Sequence, residues 1–361
     1  MRRRRIQRAG LVALGALGVG LLVAMAPIAW IETRCMAARV GDGTAYRPVL
    51  APEHRRPETN TFVTYPEWLI VHVYEDYAAV SRSAGEAAFA YFSSIDRYWS
   101  NLCVMTQLAS ARGEITGDSK AMLYTIGVSF SIEMALKGAY ERTFGWLTEA
   151  LSGNEATPED VFARSVAQDY ADFLVQTPWY EYPFGRKLGM FWTDVGWSEG
   201  NLVRKLERRI SFSLEFGAKA IYANVIDVRA GMAPAPLRIR SVVRGLGPGT
   251  SESEPDVQRI EALADGQVIE TPRYRDFTRI VRGLARGGAD LVEIAGNDEV
   301  FVTLLLPPDA PDVGGQPLII AQVSARPGWR RAGLLVKVTE LAALVRRLDA
   351  FGGELEHVYE Y

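Results

Sequence analysis

The chain has 361 residues, 48% of them hydrophobic and 23% charged, which is material for one or two cores beyond any anchor. Its net charge of -3 supplies no strong electrostatic attraction, so no nucleic-acid partner is expected. Two cysteines and three histidines exclude a four-thiolate zinc site and leave little for a multi-histidine one. No GxGxxG, GxxxxGK(S/T) or GxSxG pattern occurs, so neither a cofactor nor a metal is expected.

Residues 1–8 form a basic tail carrying Arg2, Arg3, Arg4, Arg5 and Arg8. An uncharged apolar run follows from Ala9 to Ile31 and stops at Glu32. About 20 residues at 1.5 Å each cross a ~30 Å hydrocarbon core, so 9–31 reads as a single transmembrane helix in contact with the lipid bilayer. The arginines hold the N-terminus in the cytoplasm. The bulk of the chain is then expected beyond the inner membrane, in a periplasmic or extracellular space. Ala24-Met25-Ala26 resembles a signal-peptide cleavage site, but Pro27 after it opposes the extended fit that cleavage needs, and the uncleaved anchor is the favoured reading. Ala16, Gly20 and Ala24 recur every four residues, a spacing that would let two such helices approach as a homodimer. Small residues are common in any membrane helix, so this pattern is weak on its own.

Residues 32–63, rich in Gly, Pro, Arg and Thr, read as an extended tether lifting the domain off the bilayer. Cys35 falls in it, and two free thiols are expected for Cys35 and Cys103, with a disulfide as the alternative.

From 64 to 230 helix signals follow one another and predict an all-α bundle. Thr64 with Glu67 reads as a capping box. Ser83 with Glu86 opens a second helix to about Ser110, and Asp118 caps a third to about Leu151. Thr157-Pro158-Glu159-Asp160 starts a fourth to about Gln176, and a fifth runs from about Ser198 to Val228.

Gly and Pro clusters over 231–256 read as a linker. From 257 to 361 the chain predicts a small α+β sandwich. Strands are expected at Val257–Leu263, Asp290–Ala295, Glu299–Leu306, Leu318–Ser324, Leu334–Val338 and Leu355–Tyr361. Helices are expected from Thr271-Pro272 to Arg286 and from Thr339 to Ala350. Gly296-Asn297-Asp298 reads as a hairpin turn, and both helices end in Gly-Gly before a strand. The order is similar to a ferredoxin-like fold, a topological likeness without functional content. The fold class is thus α+β multidomain with an N-terminal membrane helix.

Three groups of residues are candidates for chemistry. The first is a matching pattern on two long helices. Ser129-Phe130-Ser131-Ile132-Glu133 continues to Lys137 and Tyr140, while Ser211-Phe212-Ser213-Leu214-Glu215 continues to Lys219 and Tyr222. At 100° per residue the Glu, Lys and Tyr of each share a face, opposite Ile132 in one and Ile210, Leu214 and Ile221 in the other. If the two faces met they would form a polar site, although a Glu–Lys pair four apart is more often solvated surface. The second group is His72 with Glu75 and Asp76, spaced for a His–carboxylate acid–base dyad, with structural packing the commoner role for such a His.

The third is the aromatic segment Trp179, Tyr180, Tyr182, Phe184, Leu188, Phe191 and Trp192, suited to a membrane interface or an apolar groove. An ordinary aromatic core contact competes with that reading.

With no standard catalytic motif, the expected function is that of a non-enzymatic, membrane-anchored interaction module whose partner is an envelope protein or an apolar small ligand. The alternative is an envelope enzyme acting on a lipid or other apolar substrate, with His72, Glu75, Asp76, Glu133 and Glu215 as its site.

Overall fold

A computed structural model describes residues 25–38, 46–153, 155–197, 200–227, 238–247 and 255–361. It is a mixed helical and sheet, multidomain structure. Residues 25–34 form helix α1; residues 1–24, with Ala16, Gly20 and Ala24 among them, lie outside the described residues. Among the described residues no helix is long and apolar enough to cross a membrane.

The helical domain comprises α2 (Asn60–Val63), α3 (Tyr65–Ala84), α4 (Tyr91–Arg112), α5 (Gly117–Tyr140), α6 (Trp146–Leu151), α7 (Pro158–Leu174), α8 (Phe184–Asp194) and α9 (Leu202–Asp227). A π-helical turn, Glu141–Gly145, joins α5 to α6, so the expected single long helix is interrupted but not broken. The capping box expected at the start of α7 is present, with Thr157 and Asp160 bonding each other's backbone N–H. The one expected at Thr64 is absent: α2 runs into α3, and Thr64 is itself helical, with its hydroxyl on the Asn60 carbonyl. Thr116, not Asp118, caps α5 by accepting from the Ser119 N–H.

The C-terminal domain departs from the ferredoxin-like expectation. Its strands are β1 (Arg238–Arg244), β2 (Gln258–Leu263), β3 (Gly266–Pro272), β4 (Asp290–Ile294), β5 (Glu299–Leu306), β6 (Ile319–Gln322), β7 (Arg330–Lys337) and β8 (Glu354–Tyr359). Helix α10 (Arg275–Arg286) precedes β4, and α11 (Val338–Ala350) precedes β8. They form two four-stranded antiparallel sheets, ordered β2-β3-β1-β4 and β6-β7-β5-β8. This is one βββαβ unit used twice. Two strands went unread in the sequence: β1, inside the expected linker, and β3, which occupies the expected helix start. Arginines alternate through the first half of β1, masking its apolar positions Ile239, Val242 and Val243.

The hairpin expected at Gly296-Asn297-Asp298 does not form, because β4 and β5 belong to different sheets. The chain turns there, with Ala295 at φ 49° and Gly296 at φ 85°, and β5 crosses away. The cause is the composition of β5, which is apolar on both faces. Val300, Val302, Leu304 and Leu306 pack with α10 and α11, while Phe301 joins Tyr359 in the core of the helical domain. Only a sheet lying between the two domains buries both.

The expected tether is also overturned for the residues described. Ile31 and Cys35 are fully buried, and Cys35 is bonded to Cys103 of α4 in a disulfide, so the free-thiol expectation falls. The Ala37 N–H donates to Ser110 Oγ. Further on, Thr61 donates to the Tyr359 carbonyl and accepts from the Phe301 N–H, stitching this segment into the second sheet. Backbone donors of that kind need partners once buried, which is why the segment is fastened and not loose.

Candidate functional site

Helices α5 and α9 lie antiparallel and meet through their charged faces. Lys137 Nζ donates to both oxygens of Glu215 at 2.9 Å, and Lys219 reaches Glu133 at 2.7 Å and Glu215 at 3.1 Å. The duplicated pattern therefore forms a reciprocal set: each helix's lysine takes the other's glutamate. Tyr74 of α3 donates to Glu133 at 2.6 Å, and the Tyr77 ring lies 4.4 Å from the Lys137 ammonium. Burial alone would raise the Glu215 carboxyl, but Lys137 and Lys219 together hold it down at about 2.

The tyrosines of the pattern do not converge. Tyr140 donates to Glu207, while Tyr222 is exposed and stacks on Trp179 with ring centroids 5.3 Å apart.

Toward the start of α9 the network continues with groups that sequence reasoning passed over. Arg204, Lys205, Arg208 and Arg209 are all buried. Arg204 pairs with Asp160 at 2.9 Å, Arg208 with Glu141 at 2.9 Å and with Glu207, and Arg209 with Glu159 at 2.8 Å. The Arg209 guanidinium also lies 3.8 Å from the Trp197 ring centroid. A signal was available: cations at 204, 205, 208 and 209 form a stripe at helical spacing, with Leu206 and Ile210 on the other side. Periodicity shows two faces but not which one is inward.

These helices, with α3 and α7, enclose a cavity of about 40 Å³ lined by Tyr74, Tyr77, Glu86, Lys137, Glu141, Tyr170, Arg208, Glu215 and Lys219, among others. At roughly 15 Å³ per water, that volume holds two or three water molecules among polar groups. A wider, open depression of about 660 Å³ lies beside α7, with Val161, Phe162 and Asp194 in its wall.

His72 occupies a different place. It points from the other side of α3 into the junction with the second sheet. Its Nδ1 is 3.2 Å from Glu75 Oε2, and its Nε2 lies 3.8 Å from Glu356 Oε2 without a hydrogen-bond partner. Arg331 clasps Glu356 through three contacts of 2.7–2.9 Å and lies 3.7 Å from Glu75. Burial would raise Glu356, yet His72 and Arg331 bring it down to about 2. Asp76 accepts from the Ser324 N–H at 2.8 Å and sits 3.7 Å from Arg97; burial outweighs these partners and raises its carboxyl above the usual range. His357, beneath Trp68 at 3.8 Å between ring centroids, is held neutral, pushed down to about 3 first by burial and then by the His72 charge. The sequence offered His72, Glu75 and Asp76 as a dyad on one helix. Their principal partners, Glu356, Arg331 and His357, come from strands far along the chain.

His72 does not line the cavity that Glu215, Lys137 and Lys219 line; the two clusters occupy opposite sides of α3. The aromatic segment is divided as well. Tyr182, Phe184 and Phe191 are core residues, with Phe184 packed on Phe216 and Phe191 on Phe212. Trp179, Tyr180 and Leu188 are partly buried against that core, whereas Trp192 is exposed and donates to Ser213 Oγ at 3.0 Å. Among the described residues no group of three or more His, Cys, Asp or Glu side chains is placed to hold a metal ion. No family model, no curated protein and no solved structure matches the chain.

Proposed function

We propose that the protein is a bilayer-anchored, exported binding module of the cell envelope, with residues 9–31 in the membrane and the tandem βββαβ domain presented to a protein partner. The observation that carries this reading is the fastening of the end of the apolar run. Cys35 is bonded to Cys103, and Glu32 accepts from Lys120 at 2.8 Å and from Tyr124 at 2.6 Å. Disulfides persist in oxidising compartments, which is where the arginine-flanked run would deliver the domain.

Two features favour binding over catalysis. The acids and bases of the α5–α9 cluster are matched in ion pairs, and the cavity among them is far below the ~300 Å³ of an ordinary ligand site. The enzyme alternative needs His72, Glu133 and Glu215 within hydrogen-bond reach of one substrate, and they border separate sites. The surface offered for binding is β2, the edge of the first sheet, whose residues are exposed or half-exposed along its whole length. An unpaired edge of this kind accepts an extended segment as an added strand.

The test is topology and thiol state in intact cells. Alkaline phosphatase fused after Tyr361 is active, the chain resists carbonate extraction, and Cys35 and Cys103 alkylate only after reduction. Cytosolic location of the reporter, or free thiols in native membranes, refutes the reading. Photo-crosslinking from Ile260 on β2 then captures the partner, and adducts confined to control positions refute the assigned edge.

A further inference from the structure

Helix α9 is turned inside out relative to a water-facing helix. Its cations at 204, 205, 208 and 209 are buried, whereas every exposed position from 202 to 224 is uncharged. Leu202, Leu206, Ile210, Leu214 and Ile221 form the outward stripe, between 44% and 70% exposed. Its partner shows the same inversion. Along α5 and α6, Ile132, Leu136, Phe144, Leu147 and Leu151 are 47–68% exposed, and Arg142 is the one charged residue at an exposed position between 121 and 151. Arg142 is drawn aside to the Phe89 carbonyl and the Phe92 ring.

The helices run antiparallel and are joined through Lys137–Glu215 and Lys219–Glu133, and each turns its apolar stripe away from those ion pairs. Each stripe covers 19 residue steps, about 28 Å long. At a helix width of ~10 Å each stripe is on the order of 300 Å², about the size of the largest apolar patch a monomer ordinarily exposes to water.

We infer that these outward stripes of α5–α6 and of α9 rest in the hydrocarbon of the same bilayer that holds residues 9–31. The inference rests on the anchored reading above. The fastening of helix α1 fixes where the lipid lies relative to α5. Helix α1 is the end of the apolar run, and its Glu32 is bonded to Lys120 and Tyr124 in the first two turns of α5. With Ile31 and Cys35 buried against the domain, no spacer separates the run from the helix that begins the apolar face. Hydrocarbon asks nothing of Leu and Ile side chains and penalises outward charge, which accounts for cations turned inward and matched with carboxylates. The buried ion-pair network is then the inner half of a lipid-facing helix pair.

The experiment uses the full chain reconstituted in phosphatidylethanolamine/phosphatidylglycerol vesicles. Nitroxide labels are placed singly at Leu136→Cys, Leu214→Cys and Ile221→Cys, with Glu261→Cys on β2 as the aqueous control. The expected result is relaxation enhancement by oxygen several-fold above that by a water-soluble nickel chelate at the three helix positions, with the order reversed at the control. Chelate access at the helix positions of vesicle-bound chain overturns the inference and leaves the anchor standing. Labels shielded from both reagents and showing dipolar broadening between copies overturn it in favour of a second copy on this face. Chain that stays out of the vesicles overturns the anchored reading and this inference together.

Discussion

Histidine 357 should make the protein acid-sensitive well above the carboxylate range. Its ring is 3% exposed, lies against Trp68, and leaves Nε2 without a partner, while Nδ1 has only the Thr278 hydroxyl at 3.4 Å. Burial outweighs the attraction of the nearby Glu356 carboxylate for an imidazolium and pushes the group down to about 3 from an ordinary 6.5. The unfolded chain therefore binds a proton that the folded chain refuses. A base with a depressed folded-state value costs no stability above pH 6.5 and costs progressively more as pH falls toward 3. With those two values, the loss between pH 7 and pH 5 is about 2 kcal/mol. Urea unfolding of the full chain in micelles, followed by tryptophan fluorescence at pH 7, 6 and 5, measures it. His357→Gln keeps a polar planar group but cannot titrate. Whatever it costs at pH 7, its stability should fall by about 2 kcal/mol less than that of the wild type on going to pH 5. Parallel pH curves for the two proteins would refute the argument.

Lower in pH a second loss follows. Glu356 is held at about 2, so its contribution is complete above about 4.5 and disappears as pH falls toward 2; Glu356→Gln should flatten that part of the curve. Lys219→Met removes the cation shared by Glu133 and Glu215 and should destabilise the chain by about 3 kcal/mol, read as a shift in urea midpoint, with Glu133→Gln in the same chain recovering part of the loss. Cys103→Ser opens a cross-link between residues 68 apart; chain entropy puts its cost at about 4 kcal/mol, and unfolding unaffected by the substitution would place the stabilisation elsewhere. Gly138→Ala sets a methyl group 2.6 Å from Tyr91 Cβ in a packed helix contact and should lower the unfolding midpoint by about 1–3 kcal/mol equivalent.

Much of the local architecture was legible. The helix at Pro158 announces itself in Thr157 and Asp160, and the Gly-Gly pairs at 287–288 and 352–353 mark where each helix of the C-terminal domain gives way to a strand. The pairing of strands was not. Which sheet β5 joins depends on what covers its second face, and Phe301 meets that cover in Tyr65, far earlier in the chain. The same holds for the disulfide: Cys35 alone reads as a thiol in a loose segment, and only the docking of α1 on α4 brings Cys103 to it.

The candidate clusters follow this division. Spacing alone put Glu133 with Lys137 and Glu215 with Lys219 on helix faces opposite Ile132 and Leu214. It could not orient those faces, because an α-helix with a charged side and an apolar side has the same period whichever side is inward. By itself the sequence determined the elements, their approximate ends and the two-sidedness of each helix, since these depend on neighbours within a turn or two. Tertiary structure decided that the charges of α5 and α9 face each other and their leucines face outward, because only the surrounding helices supply buried counter-charges for so many lysines and arginines.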